Sequence, residues 1–333
     1  MKIFDAEHPD PTNPPDPADL YAVPYAPILA ELVPERAAPP APPPRLVRRR
    51  VVLPLVLFLA TWLSTLAAGG LMRAVEVAGQ SGLGAGLFAG LLEGVKFAVP
   101  LMTILIFHEM GHFLQARRYG VHASFPFFIP MPFSPLGTLG AVIAMEPRIG
   151  HRKALFDIGI TGPLAGLVPT LVFCVVGLHW SEYAVPPPGS LIFGDPLLFQ
   201  WLTEWVLGPR PPGHEVFVHP MAFAAWAGLL VTSLNLIPIG QLDGGHILYA
   251  LLRRKAHPIA TGLLLAAAML VVFNFAVYGP WLLIVLMLIV LGPKHPPTRN
   301  DHVRLGRFRI LLGWLTLAFI VIGLTPQPII SAG

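Results

Sequence analysis

The sequence predicts an all-α, polytopic membrane protein with about six or seven transmembrane helices. Apolar residues make up 54% of the 333 residues and charged residues 12%, where soluble domains carry roughly 25% charged. The apolar residues gather in runs close to the roughly 20 that a bilayer-crossing helix needs. The basic residues sit between those runs, so the pI near 9.4 reads as a topology signal and not as a nucleic-acid surface.

Residues 1–44 differ from all that follows: proline recurs through PDPTNPPDP and PPAPPPR with no apolar period. They read as a disordered or polyproline cytoplasmic tail, although PPAPPP would also suit a proline-reading domain. The first apolar run comes too late for a cleaved signal peptide. Residues 45–333 are expected to form one membrane-embedded domain with its core at 94–252. Its candidate spans are 51–72, 94–116, 155–178, 221–239, 259–277, 280–292 and 310–324. A single helix over 259–292 would be about 50 Å long against a hydrocarbon core of about 30 Å, and Tyr278-Gly279-Pro280 supplies a dividing turn. Residues 82–92 are also apolar and fit an extra re-entrant or outer helix. Residues 195–207, with Trp201 and Trp205, read as an interfacial helix anchored by its indoles. Cys174 is the only cysteine, which excludes an intrachain disulfide and a cysteine zinc cluster.

Loop charges give an orientation. With the N-terminus cytoplasmic, Arg45, Arg48, Arg49, Arg50, Arg117, Arg118, Arg148, Arg152, Lys153, Arg253, Arg254, Lys255 and the basic cluster at 294–309 all fall inside. Arg73, Lys96 and Arg210 are left outside or near it. That asymmetry favours seven crossings with the C-terminus outside.

Three ionisable residues interrupt the second span: His108, Glu109 and His112 spell H-E-x-x-H. On a helix, positions i and i+4 share a face, so two imidazoles can hold one tetrahedral zinc while the Glu between them reaches an activated water. Each such group in hydrocarbon costs at least about 2.5 kcal/mol on insertion scales unless paired or solvated, which marks a functional site. A two-histidine site lacks a third ligand. At helical rise His108 lies about 14 Å from Arg117, and Asp243 about 15 Å from Arg253, so the two reach one depth. A carboxylate there would complete the set and leave a fourth position open. Pro238, Gly240, Gly244 and Gly245 break the helix around Asp243, and non-helical backbone at that depth is tolerated only beside protein or a wet cavity.

HEMGH together with NLIPIGQLDGG resembles the site-2 protease family of intramembrane zinc metalloproteases, of the peptidase M50 type, over about residues 97–252. The resemblance implies one Zn2+ per chain held by His108, His112 and Asp243, with Glu109 as the catalytic residue. It further implies transmembrane protein substrates cut in or near their membrane segments, in a multi-pass protein of a bacterial inner membrane. SPLGTLGAVIAM is similar to the family's glycine-bearing re-entrant β-hairpin, and GITGPLAG to its following Gly/Pro-rich helix. In such a hairpin an edge at 137–145 would offer main-chain partners to an unwound substrate, with Gly137 and Gly140 permitting close approach and Val142 on the edge. The alternative is a loop that only packs the site. Asn235 matches the family's Asn ahead of the Asp-Gly motif, and would bond substrate or oxyanion, or else bond between helices. The outer segment 179–220 is too short for the PDZ domain of many bacterial relatives.

Other residues read more plainly. His246, one turn after Asp243, could approach the metal, but reads better as a group that supports the ligands or faces the cavity. Glu146 and Asp157 read as solvated or arginine-paired carboxylates, and Gly162-x-x-x-Gly166 as close helix packing. A polytopic transporter, whose broken helices also bind ions at mid-depth, and a noncatalytic metal-binding membrane scaffold are the rival readings. Either would have to explain Glu109 between two histidines.

Overall fold

Two long helices, α1 (Val52–Ser81) and α2 (Leu83–Arg118), open the described part of the chain. The computed structural model describes residues 51–146, 149–187, 191–327 and 329–331. The proline-rich tail and Arg45, Arg48, Arg49, Arg50 and Arg148 of the charge argument lie outside the described residues. The two helices pack so closely that a methyl group on Gly70 would lie 2.0 Å from the Gly90 carbonyl oxygen. Gly82 is the link between the helices and Leu83–Leu92 are the first turns of α2, so the apolar run 82–92 is not a separate helix. The expected spans 51–72 and 94–116 are shorter than these helices, which continue past Arg73 and begin before Lys96; Arg73 pairs with Glu76 and Lys96 with Glu93 along each helix surface at 2.9 Å. Charges at i,i+3 are compatible with a helix that runs past the hydrocarbon.

A hairpin follows, with β1 (Phe127–Pro130) antiparallel to β2 (Thr138–Val142). Phe127 stands opposite Val142 and Phe128 opposite Ala141, and the register shifts before Pro130. Only the second strand falls in the segment that the sequence marked. The first was hidden by Pro126 and Pro130, which strands accept at edges and bulges. β1 lies against α1, where the Phe58 and Phe128 rings meet edge-on at 5.2 Å.

Helix α3 (Arg152–Leu178) crosses behind α2 and carries the buried Cys174. Beyond it comes a small cap of β3 (Glu182–Ala184), β4 (Leu191–Phe193), α4 (Leu197–Leu207) and β5 (Glu215–Phe217). Strand β3 pairs with β5, and Trp201 and Trp205 of α4 are exposed, as an interfacial helix requires. Next are α5 (Pro220–Asn235), α6 (Asp243–Leu252), α7 (Ala256–Phe273), α8 (Phe275–Tyr278), α9 (Leu282–Leu291) and α10 (Arg307–Gly323). The last strand, β6 (Ile329–Ser331), pairs with β4 and so returns the chain to the cap.

The protein is an integral membrane protein. Val52–Ser81, Leu83–Arg118, Arg152–Leu178 and Asp243–Phe273 are long and apolar enough to cross a membrane, while Pro220–Asn235 and Phe275–Leu291 are shorter apolar helices. The expected span 221–239 stops at Asn235 because Pro238 and Gly240 cannot continue it. The chain turns at Asn274 and again at Gly279–Trp281, so α9 folds back and sets Leu288 against Ala260 and Leu264 of α7.

At the basic end, α10 is tied to α3 by Arg309, whose Nε and Nη2 donate to the two oxygens of Asp157 at 2.7 and 3.0 Å. The Tyr119 hydroxyl donates to the same carboxylate. Glu146 pairs with Arg299 at 2.7 Å. Both carboxylates are therefore arginine-paired ties. Asp157→Ala should lower stability by about 1–3 kcal/mol, read as a reduced thermal midpoint in detergent with metal content unchanged; an unaltered midpoint would show that the tie is not structural.

Candidate metal centre

Helix α2 places His108 and His112 one turn apart, 3% and 6% exposed. What lets them stay buried is the small-residue face of α3. A methyl group on Gly162 would sit 1.9 Å from His112 Nε2, and one on Gly166 would sit 3.0 Å from His108 Cβ. Gly111, inside the H-E-x-x-H motif, makes the reciprocal approach, 2.4 Å from the Thr161 carbonyl oxygen. The Gly162-x-x-x-Gly166 spacing is close packing, as expected, but packing against the two imidazoles. The same approach brings the Ile158 carbonyl oxygen to 2.8 Å from His112 Nδ1.

Asp243 arrives by a different route. After α5 ends, Gly240 takes a φ of 59° and donates its N–H to the Pro293 carbonyl. A side chain on Gly244 would lie 1.8 Å from the Leu236 carbonyl oxygen, so α6 begins folded back on the end of α5. Asp243 Oδ2 then stands 3.2 Å from the Nε2 atoms of both His108 and His112, which are 3.3 Å from each other. These three form a potential metal-holding group among the described residues. His246 lies outside it.

The donors fit zinc. Because the Ile158 carbonyl can only accept, His112 Nδ1 carries the proton, and in a neutral ring Nε2 is a lone pair. In the neutral ring that lone pair faces a carboxylate oxygen at 3.2 Å, a contact that a metal ion, or a proton on Nε2, turns into attraction. A tetrahedral ion with ligands at 2.0–2.1 Å needs donor atoms about 3.3–3.4 Å apart.

A cavity of about 240 Å³ opens on the three donors. Glu109, 4% exposed, lines it, as do Asn235, His246, Ala141 and Val142 of β2, and His295 with residues 296–298. Asn235 Nδ2 lies 3.3 Å from His108 Nε2, directly beside a ligand atom. Gly140 has a φ of 97° and open space where a side chain would be. Gly137 is placed otherwise than expected. Its φ of 72° turns the hairpin, and a side chain there would meet the Ser64 carbonyl oxygen of α1 at 2.6 Å, so it packs the hairpin down and does not face the cavity. The sequence marks 294–309 only as a basic topology cluster and gives His295 and the segment after it no place at the site; Pro296-Pro297 between two polar stretches was the available signal.

Residues 96–277, more than half of the chain, match the sequence profile of peptidase family M50. The chain belongs to peptidase family M50. Its similarity extends to plant proteins named probable zinc metalloprotease, chloroplastic. With EGY1 of Oryza sativa subsp. japonica this M50 chain is 34% identical over 250 residues, 71% of the chain and 42% of the relative. With EGY1 of Arabidopsis thaliana it is 32% identical over 248 residues, covering 70% and 43%, and with EGY2 of that plant 29% over 251, covering 73% and 44%. The chain thus spans less than half the length of these relatives. No solved structure matches it.

Purified protein should bind about one zinc per chain, and Asp243→Ala or His108→Ala should lower its affinity at least about tenfold. Gly162→Ala should do the same without replacing a ligand, because the added methyl must displace His112. Wild-type zinc affinity in Gly162→Ala, measured by competition with a chelator, would mean that α3 does not fix the ring.

Proposed function

We propose that this M50 protein is an intramembrane zinc endopeptidase that hydrolyses peptide bonds in or near the transmembrane segments of membrane proteins. The observation that carries the reading is a buried carboxylate, Glu109, in one cavity with a two-histidine, one-aspartate triangle and a strand of the hairpin. His108, His112 and Asp243 would hold the metal. Bound there, zinc supplies Lewis-acid polarisation of the scissile carbonyl and lowers the pKa of water. Glu109 takes the proton of the attacking water and passes it to the leaving amine. Asn235 offers amide N–H donors beside His108, where the oxygen of the attacked carbonyl gathers charge.

Substrate helices must be unwound, since their amides are occupied by their own hydrogen bonds. The hairpin supports β-addition at Val142 and its neighbours, with Gly140 leaving room for a second backbone. We assign residues 45–333 to one membrane-embedded catalytic domain, and the basic ends of its helices, with the N-terminus, to the cytoplasmic face of a bacterial inner membrane. The charge asymmetry supports that orientation. A transporter reading gives Glu109 no task.

Glu109→Gln keeps size and hydrogen bonding but removes the base, so cleavage of a transmembrane substrate should fall at least about 10²-fold while zinc stays bound. Cleavage by the variant at the wild-type rate would end the hydrolase reading.

A further inference from the structure

We propose that His246 is a substrate-positioning residue, whose Nε2 accepts a hydrogen bond from a main-chain N–H of the polypeptide lying in the metal cavity. The inference rests on the endopeptidase reading and adds a second wall to the peptide site.

A chain of hydrogen bonds fixes the tautomer of His246. His295 Nδ1 lies 2.6 Å from the Pro296 carbonyl oxygen, which can only accept, so Nδ1 carries the proton. Burial pushes the His295 imidazole down to about 4, which leaves it neutral at physiological pH with a lone pair on Nε2. That lone pair stands 2.7 Å from His246 Nδ1. His246 must therefore donate from Nδ1, and its Nε2 is left as an acceptor. Among the described residues Nε2 has no hydrogen-bond partner, and His246 lines the cavity that holds Glu109 and the three donors.

The support is rigid. Tyr249 stacks on His295 with ring centroids 4.6 Å apart, and its hydroxyl donates to Asp301 at 2.7 Å. His257 Nε2 donates to the His295 carbonyl at 3.0 Å. Further along, the Arg299 N–H bonds the Ile149 carbonyl, and the Arg152 N–H bonds the Asn300 carbonyl. The segment bearing His295 is thus pinned to α3, α6 and α7, and it holds the His246 ring in place.

The cavity has one wall of strand, with Ala141 and Val142, and another of α6 and this segment. An extended chain paired along β2 turns alternate N–H and C=O groups away from it. Those groups have left water, and an unmet N–H there weakens binding. A fixed lone pair one helical turn from Asp243 meets such an N–H close to the reacting bond.

The test uses full-length protein and a short peptide spanning whichever bond of denatured casein the wild type is found to cut. The peptide is remade as a series in which each main-chain N–H outside the scissile bond is replaced, one at a time, by an ester oxygen. In wild type one position should lose about three- to tenfold in kcat/KM. In His246→Phe the all-amide peptide should suffer that loss, mainly through KM, and the ester at that position should cause no further loss, with zinc content unchanged. His246→Gln, which keeps an acceptor, should recover part of it. Binding of the same peptides to the Glu109→Gln protein, with and without His246→Phe, should follow the same pattern without turnover. Should His246→Phe fail to fold, His295→Phe keeps the ring on Tyr249, removes the acceptor that orients His246, and serves the same comparison. An ester profile identical to wild type, undiminished cleavage of the all-amide peptide, or loss of zinc in His246→Phe would overturn the assignment. Absence of any cleavage by wild type would instead defeat the endopeptidase reading and this inference with it.

Discussion

Three electron-pair donors facing one another at 3.2–3.3 Å in a buried site call for a positive charge among them, either a bound cation or a proton on one imidazole. Without any such charge a carboxylate out of water would cost several kcal/mol, and the spacing of the three donors is that of a site built for an ion. Two devices meet that demand. The glycines of α3 let a helix lie directly on the histidines and bring a carbonyl to His112, which fixes the ring by its far nitrogen. The broken stretch between α5 and α6 folds Asp243 back to the depth of the histidines. One device belongs to helix packing and the other to interrupted helix, and neither supplies a donor triangle alone.

The hairpin and the segment around His295 are placed relative to that triangle. Phe128 and Gly137 hold the hairpin to α1 on its far side, which leaves Ala141 and Val142 to line the cavity. Arg299 and Asp301 fasten the other wall. In the endopeptidase reading proposed above, a slot with a strand on one side and the His246 acceptor on the other suits an extended chain better than a helix. The chemistry agrees, since an amide must leave its helix before it can be hydrolysed.

The donor group was legible in the sequence because it is local or can be counted from a fixed point. His108 and His112 are a helical turn apart by spacing, and Asp243 was matched to them by its distance from a basic helix end. Less local facts did not show. Residues 162 and 166 announced close packing, but periodicity names no neighbour, so their contact with the imidazoles had to come from the structure. Gly137 read as a substrate contact because it sits in a strand-like run, whereas its positive φ and its approach to Ser64 make it a hinge of packing. Pro126 and Pro130 concealed β1. The expected spans stop at residue 72 and start at residue 94, in a stretch where i,i+3 pairing allows α1 and α2 to continue. The reach of residue 295 to residue 246 passes over α7, α8 and α9 and left no sequence period at all.

Zinc K-edge X-ray absorption on the purified, zinc-loaded protein tests the donor triangle most directly. The account predicts only nitrogen and oxygen scatterers at about 2.0–2.1 Å, with outer-shell scattering from two imidazoles. Sulfur at about 2.3 Å, or an imidazole count other than two, would contradict it.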